Sequence, residues 1–100
     1  MVGGLRSGAV LEVADQIERG DLLRAERKYQ AAAAAYELVD EVAAADPELL
    51  QKANLGAGEM YDQLQKRDLA VKKYEAVVAT NSGNAEADKA RKRIKDAYRE

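Results

Sequence analysis

Two groups of acidic side chains are the residues whose types and spacing could do chemistry. Glu37, Asp40 and Glu41 lie close together, and so do Glu59 and Asp62. Paired carboxylates can transfer protons or hold a divalent cation. The chain has no His and no Cys, so it lacks the commonest general base, the softest nucleophile and the Glu-x-x-His signature of helical di-metal sites. We therefore interpret both groups as solvated helix faces and predict no catalytic residue, no metal ion and no cofactor.

A third group is basic and lies late in the sequence. Its members are Lys89, Arg91, Lys92, Arg93, Lys95 and Arg99, interrupted by Asp88, Asp96 and Glu100. Proteins that bind nucleic acids are usually basic overall and stack bases on aromatic side chains. This chain has a net charge of −2, and Tyr98 is the only aromatic residue in the run. We predict a solvated final helix, with an acidic protein surface as the alternative partner, and no nucleic-acid partner.

The elements that position these side chains are predicted to be helices within one domain. Alanine supplies much of the apolar fraction, and Phe, Trp and Cys are absent, which favours closely packed helices over strands. Asp46-Pro47-Glu48 predicts the end of one helix and the start of another, and Asn84 predicts a helix cap. Residues 1–8 are Gly-rich and predict a flexible start without the apolar core of a signal peptide. No apolar run approaches the roughly 20 residues of a membrane span.

An internal repeat appears when the sequence is shifted so that Gly20 falls on Gly58. The same shift places Leu23 on Tyr61, Lys28 on Lys66, Ala32 on Ala70, Tyr36 on Tyr74 and Val39 on Val77. A repeated order of this kind is typical of stacked helical hairpins, each of which leaves an apolar face for the next one to cover. We interpret the two glycines as points of close helix approach, each facing a small alanine, with bulky side chains filling the space beside them.

The two copies resemble tetratricopeptide repeats. The best match runs from Gly58-Glu59-Met60-Tyr61 through Ala70, Tyr74 and Val77, and the stretch from Gly20 to Tyr36 is similar. The resemblance implies an all-α fold of antiparallel hairpins, stacked as a short right-handed superhelix of about five helices. A domain of residues 9–100 would hold repeat one at about 13–47, repeat two at about 48–82 and a partial repeat or capping helix at 84–100. The two copies are spaced about one helical turn further apart than is usual in this family.

The resemblance also implies a function, because the first helix of each pair lines a concave groove in this family. Carried onto this sequence, the groove positions predict these partner-binding residues: Ile17, Asp21, Arg24, Leu55, Glu59, Asp62, Lys92 and Arg99. The family's carboxylate clamp for chaperone C-termini needs Lys and Asn where Ile17 and Asp21 stand, which argues against that ligand. We expect a non-catalytic module that binds a peptide or a partner helix in the groove. The alternative interpretation of the groove positions is that they bind nothing.

Self-association, with no foreign ligand, is the alternative function. Two and a half repeats are few for an array that usually needs about three. Residues 1–50 carry ten acidic and five basic side chains, and residues 51–100 carry eight and eleven, so unlike halves of two copies would attract each other. The turn at Glu26-Arg27-Lys28 has no Gly, Pro, Asn, Asp or Ser. Two helices joined by so weak a turn could open into one, which would give a domain-swapped dimer.

Overall fold

Five α-helices make up most of this computed structural model, which describes the backbone of residues 2–42 and 46–100 and the side chains of residues 13–39 and 46–100. They are α1 (Val2–Ala25), α2 (Tyr29–Val42), α3 (Pro47–Gln63), α4 (Arg67–Thr80) and α5 (Ala85–Lys95). The described part of the chain contains no strand. The predicted all-α class is therefore confirmed. Helix α1 begins at Val2 and includes residues 2–8, for which the sequence predicted a flexible start.

The helices are arranged in two layers. Each helix packs against the next one along the chain, and the short connections make neighbouring helices antiparallel. α1 also contacts α3, and α3 contacts α5, whereas α2 and α4 do not touch within the described residues. The odd-numbered helices thus form one layer and the even-numbered helices the other. The internal repeat is visible here, because the shift that carries Gly20 onto Gly58 also carries the start of α2 onto that of α4 and the start of α3 onto that of α5.

The two hairpin turns, at residues 26–28 and 64–66, share one backbone geometry. Arg27 has φ 63°, and Gln65, at the equivalent position of the second copy, has φ 60°. In each turn the next residue, a lysine, donates its N–H to the carbonyl oxygen five residues earlier, at 2.9 and 2.8 Å. The left-handed backbone conformation that ends a helix in this way is usually adopted by glycine. Both turns adopt it with a long polar side chain, and α1 and α2 pack as a closed hairpin.

Two side-chain caps begin α3 and α5. Asp46 Oδ1 accepts from the N–H groups of Glu48 and Leu49 at 3.1 and 3.2 Å, and Pro47 occupies the first helical position. Asn84 Oδ1 accepts from the N–H of Ala87 at 3.0 Å. The predicted helix start at Pro47 and the predicted cap at Asn84 are confirmed. The two side-chain caps satisfy N–H groups that would otherwise have no partner at a helix start.

The core is organised around Tyr36 in α2 and Tyr74 in α4, which are at most 1% exposed. The Tyr36 ring lies against both Gly20 and Gly56, and a Cβ added to Gly20 would lie 2.5 Å from the Tyr36 Cε1 atom. A Cβ on Gly58 would approach Tyr74 Cε1 equally closely, at 2.5 Å. The glycines therefore accommodate tyrosine rings. This corrects the expectation that each glycine faces a small alanine, because the ring occupies the room that a missing Cβ leaves.

Gln51 of α3 fixes the loop between α4 and α5 from the inside. Its side chain is almost fully buried, and its Nε2 donates to the carbonyl oxygens of Val77 and Asn81, both at 2.9 Å. Asn84 Nδ2 donates back to Gln51 Oε1 at 2.6 Å. One amide thus terminates α4 and holds the residue that caps α5, which sets the position of α5 against α3.

Helix α5 ends at Lys95, short of the end predicted for the capping helix 84–100. Arg67 Nη2 of α4 donates to the carbonyl oxygens of Arg93 and Ile94 at 2.7 and 2.6 Å. These carbonyls therefore have a partner without a further helical turn. Residues 96–100, which we call the returning segment, are not helical and run back across α1 and α3.

Candidate functional site

Five of the eight predicted partner-binding residues line one cleft between α1, α3 and α5. Ile17, Asp21 and Arg24 come from α1, where spacings of four and three place them on one face, and Leu55 and Glu59 come from α3. The cleft has a volume of about 250 Å³, and its other lining residues are Tyr36, Lys52, Gly56, Glu86 and Lys89. Aliphatic side chains and charges of both signs therefore surround one concave space.

Tyr36 reaches the cleft from α2 because Gly20 and Gly56 leave room for its ring. Its hydroxyl donates to Asp21 Oδ1 at 2.5 Å. Burial raises the pKa of Tyr36 above its usual value, and this hydrogen bond raises it further. Asp21 is itself exposed, so its carboxylate is fixed in direction and still accessible at the rim of the cleft.

Arg24 is the centre of a charge cluster in the cleft lining. Its Nη1 donates to Glu59 Oε1 at 2.9 Å, and Arg93 Nε of α5 donates to Glu59 Oε2 at 3.3 Å. Glu59 is only 7% exposed, and the two guanidinium groups compensate a negative charge that burial would otherwise penalise. Burial by itself lowers the pKa of Arg24, but its hydrogen bond with Tyr36 and the charge of Glu59 outweigh this and raise it.

The side chains of the returning segment bind to the same charge cluster. The centroid of the Tyr98 ring lies 4.7 Å from the guanidinium carbon of Arg93, and the Tyr98 hydroxyl accepts from Arg24 Nη2 at 2.9 Å. Glu100 accepts from Arg24 at 3.3 Å and from the Tyr29 hydroxyl at 3.1 Å. Burial raises the pKa of Tyr98. For Glu100 the effect of burial is outweighed by hydrogen bonds from Tyr29, Tyr98 and Arg24, which lower its pKa.

The backbone of the returning segment is held by α3. The Tyr98 N–H donates to Asp62 Oδ2 at 2.9 Å, and the Glu100 N–H donates to Gln63 Oε1 at 3.0 Å. Arg99, between them, is exposed. Alternate amides are therefore bound by adjacent side chains of one helix, which is how an extended peptide is held against a helical surface.

Asp62, which the sequence predicted to bind a partner, lies beneath the returning segment with its side chain 1% exposed. The burial of Asp62 and Glu59 corrects the expectation that this pair belongs to a solvated helix face. One Asp62 oxygen accepts from the Tyr74 hydroxyl at 2.6 Å, and Arg67 Nη1 donates to both oxygens at 3.0 and 3.1 Å. Burial raises the pKa of Tyr74, and its hydrogen bond to Asp62 raises it further. The carboxylate joins α3 to α4 and, through the Tyr98 amide, to the returning segment.

The remaining two predicted residues lie outside the cleft. Lys92 is exposed on α5 and does not belong to the cleft lining. Arg99 is exposed and lines a separate depression with Asp62, Gln63 and Glu100. The structure thus brings five of the predicted residues together, places Asp62 below them, and leaves Lys92 and Arg99 apart.

Sequence reasoning did not assign three residues to this site: Arg93, Tyr98 and Glu100. The pattern placed Tyr98 in the partial repeat or capping helix predicted for residues 84–100. The signal that could have revealed another role is its isolation, since it is the only aromatic residue in a charged run. A lone aromatic side chain among arginines is suited to stacking on a guanidinium group.

Among the described residues, no group of three or more acidic, His or Cys side chains is arranged to hold a metal ion. No helix in the same part of the chain is long and apolar enough to cross a membrane. In comparisons with known protein families, with curated proteins and with solved structures, nothing matches this chain.

Proposed function

We propose that this chain is a non-catalytic, tetratricopeptide-like interaction module that binds an extended peptide in the cleft between α1, α3 and α5. The observation that carries the proposal is the convergence of Ile17, Asp21, Arg24, Leu55 and Glu59 on one concave surface. These residues come from two helices and were selected by repeat position alone. A tetratricopeptide-like stack would place the first helix of each pair in one inner layer, and the contacts of α1 with α3 and of α3 with α5 are consistent with it.

The chemistry of the cleft favours a peptide with mixed character. Ile17 is half-buried and offers an aliphatic surface, while Lys52 and Lys89 supply positive charge and Asp21 and Glu86 supply negative charge. A cleft that combines aliphatic contacts with a few directed polar groups gives both affinity and specificity. Single charges at the rim mainly select the partner and speed association, so the apolar contact carries more of the affinity.

The test is selection of peptides from a random displayed library, followed by calorimetric measurement of dissociation constants. We expect Ile17→Glu to weaken binding of the selected peptides at least tenfold and Lys89→Glu to weaken it less, because both side chains line the cleft but only Ile17 supplies apolar contact. Leu22→Glu is the matched control on α1, since Leu22 is 61% exposed and does not line the cleft. Equal binding to all variants, or a library without binders, would contradict the proposal.

Self-association is the second candidate, and a feature of the hairpin turns favours it. Arg27 and Gln65 both hold a left-handed conformation that costs about 1–2 kcal/mol for a residue with a side chain. Opening either turn into a continuous helix would remove this cost and drive a domain swap. Sedimentation of the chain at rising concentration tests it: a dimer that disappears in Arg27→Gly supports swapping, and a monomer throughout excludes it.

A further inference from the structure

We propose that the returning segment is an internal copy of the ligand, so that the surface it covers, which adjoins the cleft at Arg24, recognises an extended peptide with a tyrosine and, two residues later, a carboxylate. This inference rests on the proposed function and specifies its ligand. The segment places Tyr98 and Glu100 on the charge cluster that contains Arg24 and Glu59, which are themselves cleft residues. A partner with the same spacing of groups competes for the same donors.

The contacts show which groups of the returning segment are bound by this surface and which are left in solvent. Tyr98 is recognised through its ring, by Arg93, and through its hydroxyl, by Arg24. Glu100 is recognised by two donors, Arg24 and the Tyr29 hydroxyl. The intervening Arg99 is exposed. The pattern is therefore Tyr-x-Glu, with the middle position open to any residue.

Backbone contacts make the recognition that of an extended chain. Asp62 and Gln63 accept the N–H groups of residues 98 and 100, which in a continuing helix would donate to carbonyl groups four residues earlier. A ligand that is helical through these two positions would have free amides only in its first turn. The partner segment is therefore an extended peptide and not an amphipathic helix.

The returning segment can leave without stranding a buried charge. Glu59 keeps its bonds to Arg24 and Arg93, and Asp62 keeps Arg67 and the Tyr74 hydroxyl. Removing one partner of a buried ion pair is costly because the other charge is left uncompensated, and here that penalty does not arise. Tyr98 itself is only half-buried and lies at the margin of the core.

Competition explains why the segment matters for binding. A ligand joined to its own site acts at an effective concentration on the order of millimolar. A free peptide must displace it, so the intact chain binds a Tyr-x-Glu peptide more weakly than a chain whose segment cannot dock. The returning segment thus lowers the apparent affinity for free peptides, and a partner must bind strongly enough to displace it.

The experiment titrates the free peptide Ala-Tyr-Arg-Glu, the sequence of residues 97–100, into the ¹⁵N-labelled full-length chain and follows amide resonances by NMR. The vacated variant carries Tyr98→Ala and Glu100→Ala together. We expect it to bind the peptide at least fivefold more tightly than the parent, with shifts centred on Arg24, Asp62 and Gln63. Adding Arg24→Gln to it abolishes binding, whereas adding Lys72→Ala, exposed on α4 and outside the cleft, leaves binding unchanged.

Glu100→Gln provides a second route if the vacated variant does not fold, because Glu100 is exposed. It should bind the peptide more tightly than the parent, and a peptide with Gln in place of its final Glu should bind less tightly. Equal affinity for the parent and both variants, or no binding to a folded Glu100→Gln chain, would overturn the inference. The proposed function then still stands if library-selected peptides without Tyr-x-Glu lose affinity for Ile17→Glu, so the two failures are distinguishable.

Discussion

The ring of Tyr36 occupies the space next to Gly20 where a side chain would begin, so α1 and α2 interlock at this pair. The same ring also lies against Gly56 of α3, with Cε2 and Cζ 2.8 Å from the position of an added Cβ. One tyrosine therefore defines the approach of three helices, and its hydroxyl reaches Asp21 in the cleft. The helix spacing and the cleft geometry depend on the same contact.

Alanine at Gly20 or Gly58 should destabilise the fold although alanine is the better helix former. The helix propensity gain is about 1 kcal/mol, but the new Cβ would lie 2.5 Å from a rigid aromatic ring, and overpacking costs about 1–3 kcal/mol. We expect a net loss of up to about 2 kcal/mol in the free energy of unfolding, measured in urea. Gly83→Ala is the control, because the nearest atom to its Cβ is 3.8 Å away. An increase in stability for Gly20→Ala would contradict the interlocked contact.

Removing the two tyrosine hydroxyls should have unequal effects. Tyr74 donates to Asp62, whose side chain is 1% exposed, and a lost hydrogen bond to a buried charge costs about 1.5–3 kcal/mol. Tyr36 donates to exposed Asp21, where water can replace it. We expect Tyr74→Phe to lower the unfolding free energy at least twice as much as Tyr36→Phe. Equal losses of unfolding free energy would contradict the burial of the Asp62 carboxylate relative to that of Asp21.

Glycine should stabilise the two hairpin turns. Arg27 and Gln65 have φ of 63° and 60°, which glycine adopts without the steric cost that other residues carry. We expect Arg27→Gly and Gln65→Gly each to raise the unfolding free energy by about 1 kcal/mol, and the double variant to add the two gains. Lys72→Gly, exposed within α4, should lose about 1 kcal/mol. Thermal unfolding followed by circular dichroism measures all four.

Gln51 should be far less replaceable than an exposed glutamine. Gln51→Ala removes the side-chain donor that the carbonyl oxygens of Val77 and Asn81 share. It also removes the acceptor of Asn84 Nδ2. The Val77 carbonyl oxygen keeps the N–H of Asn81, and the loss of several such hydrogen bonds costs about 1–3 kcal/mol. We expect a loss in this range, with earlier exchange of the amide hydrogens of α5. Gln30→Ala, at an exposed position of α2, should change stability by less than about 0.5 kcal/mol. Similar losses of unfolding free energy for the two variants would contradict the role of Gln51 in holding the loop between α4 and α5.

The features that were predictable from the sequence have local causes. The helix start at Pro47 and the cap at Asn84 were recognisable because proline at a first helical position and an N-cap both act within a few residues of the chain. The pairing of Gly20 with Gly58 and of Tyr36 with Tyr74 was visible as a repeat of constant spacing. The same repeat placed Ile17 and Leu55 at equivalent positions of neighbouring helices, which is why five predicted residues meet in the cleft.

The features that were not predictable depend on contacts between distant parts of the chain. The end of α5 depends on Arg67, which takes the carbonyl oxygens of residues 93 and 94 from another helix. No local breaker marks that position, so the sequence favours a continuing helix. The contact of Gly20 with the Tyr36 ring, instead of an alanine, likewise depends on how α1 and α2 are rotated against each other. The repeat period in the sequence gives the spacing between equivalent residues, but it does not determine how α1 and α2 are rotated against each other.

Acidification should release the returning segment before it unfolds the helices. Burial alone would raise the pKa of Glu100, but hydrogen bonds from Tyr29, Tyr98 and Arg24 outweigh it and lower the pKa below its ordinary 4.5. A depressed pKa in the docked state means that docking is fully favoured above about pH 4.5 and weakens as the pH falls through the lower value. We expect the Tyr98 amide resonance to move toward its undocked position below about pH 4.5 while helical circular dichroism persists. Glu100→Gln should remove this dependence, and a Tyr98 resonance that moves identically in both chains would show that another group controls release.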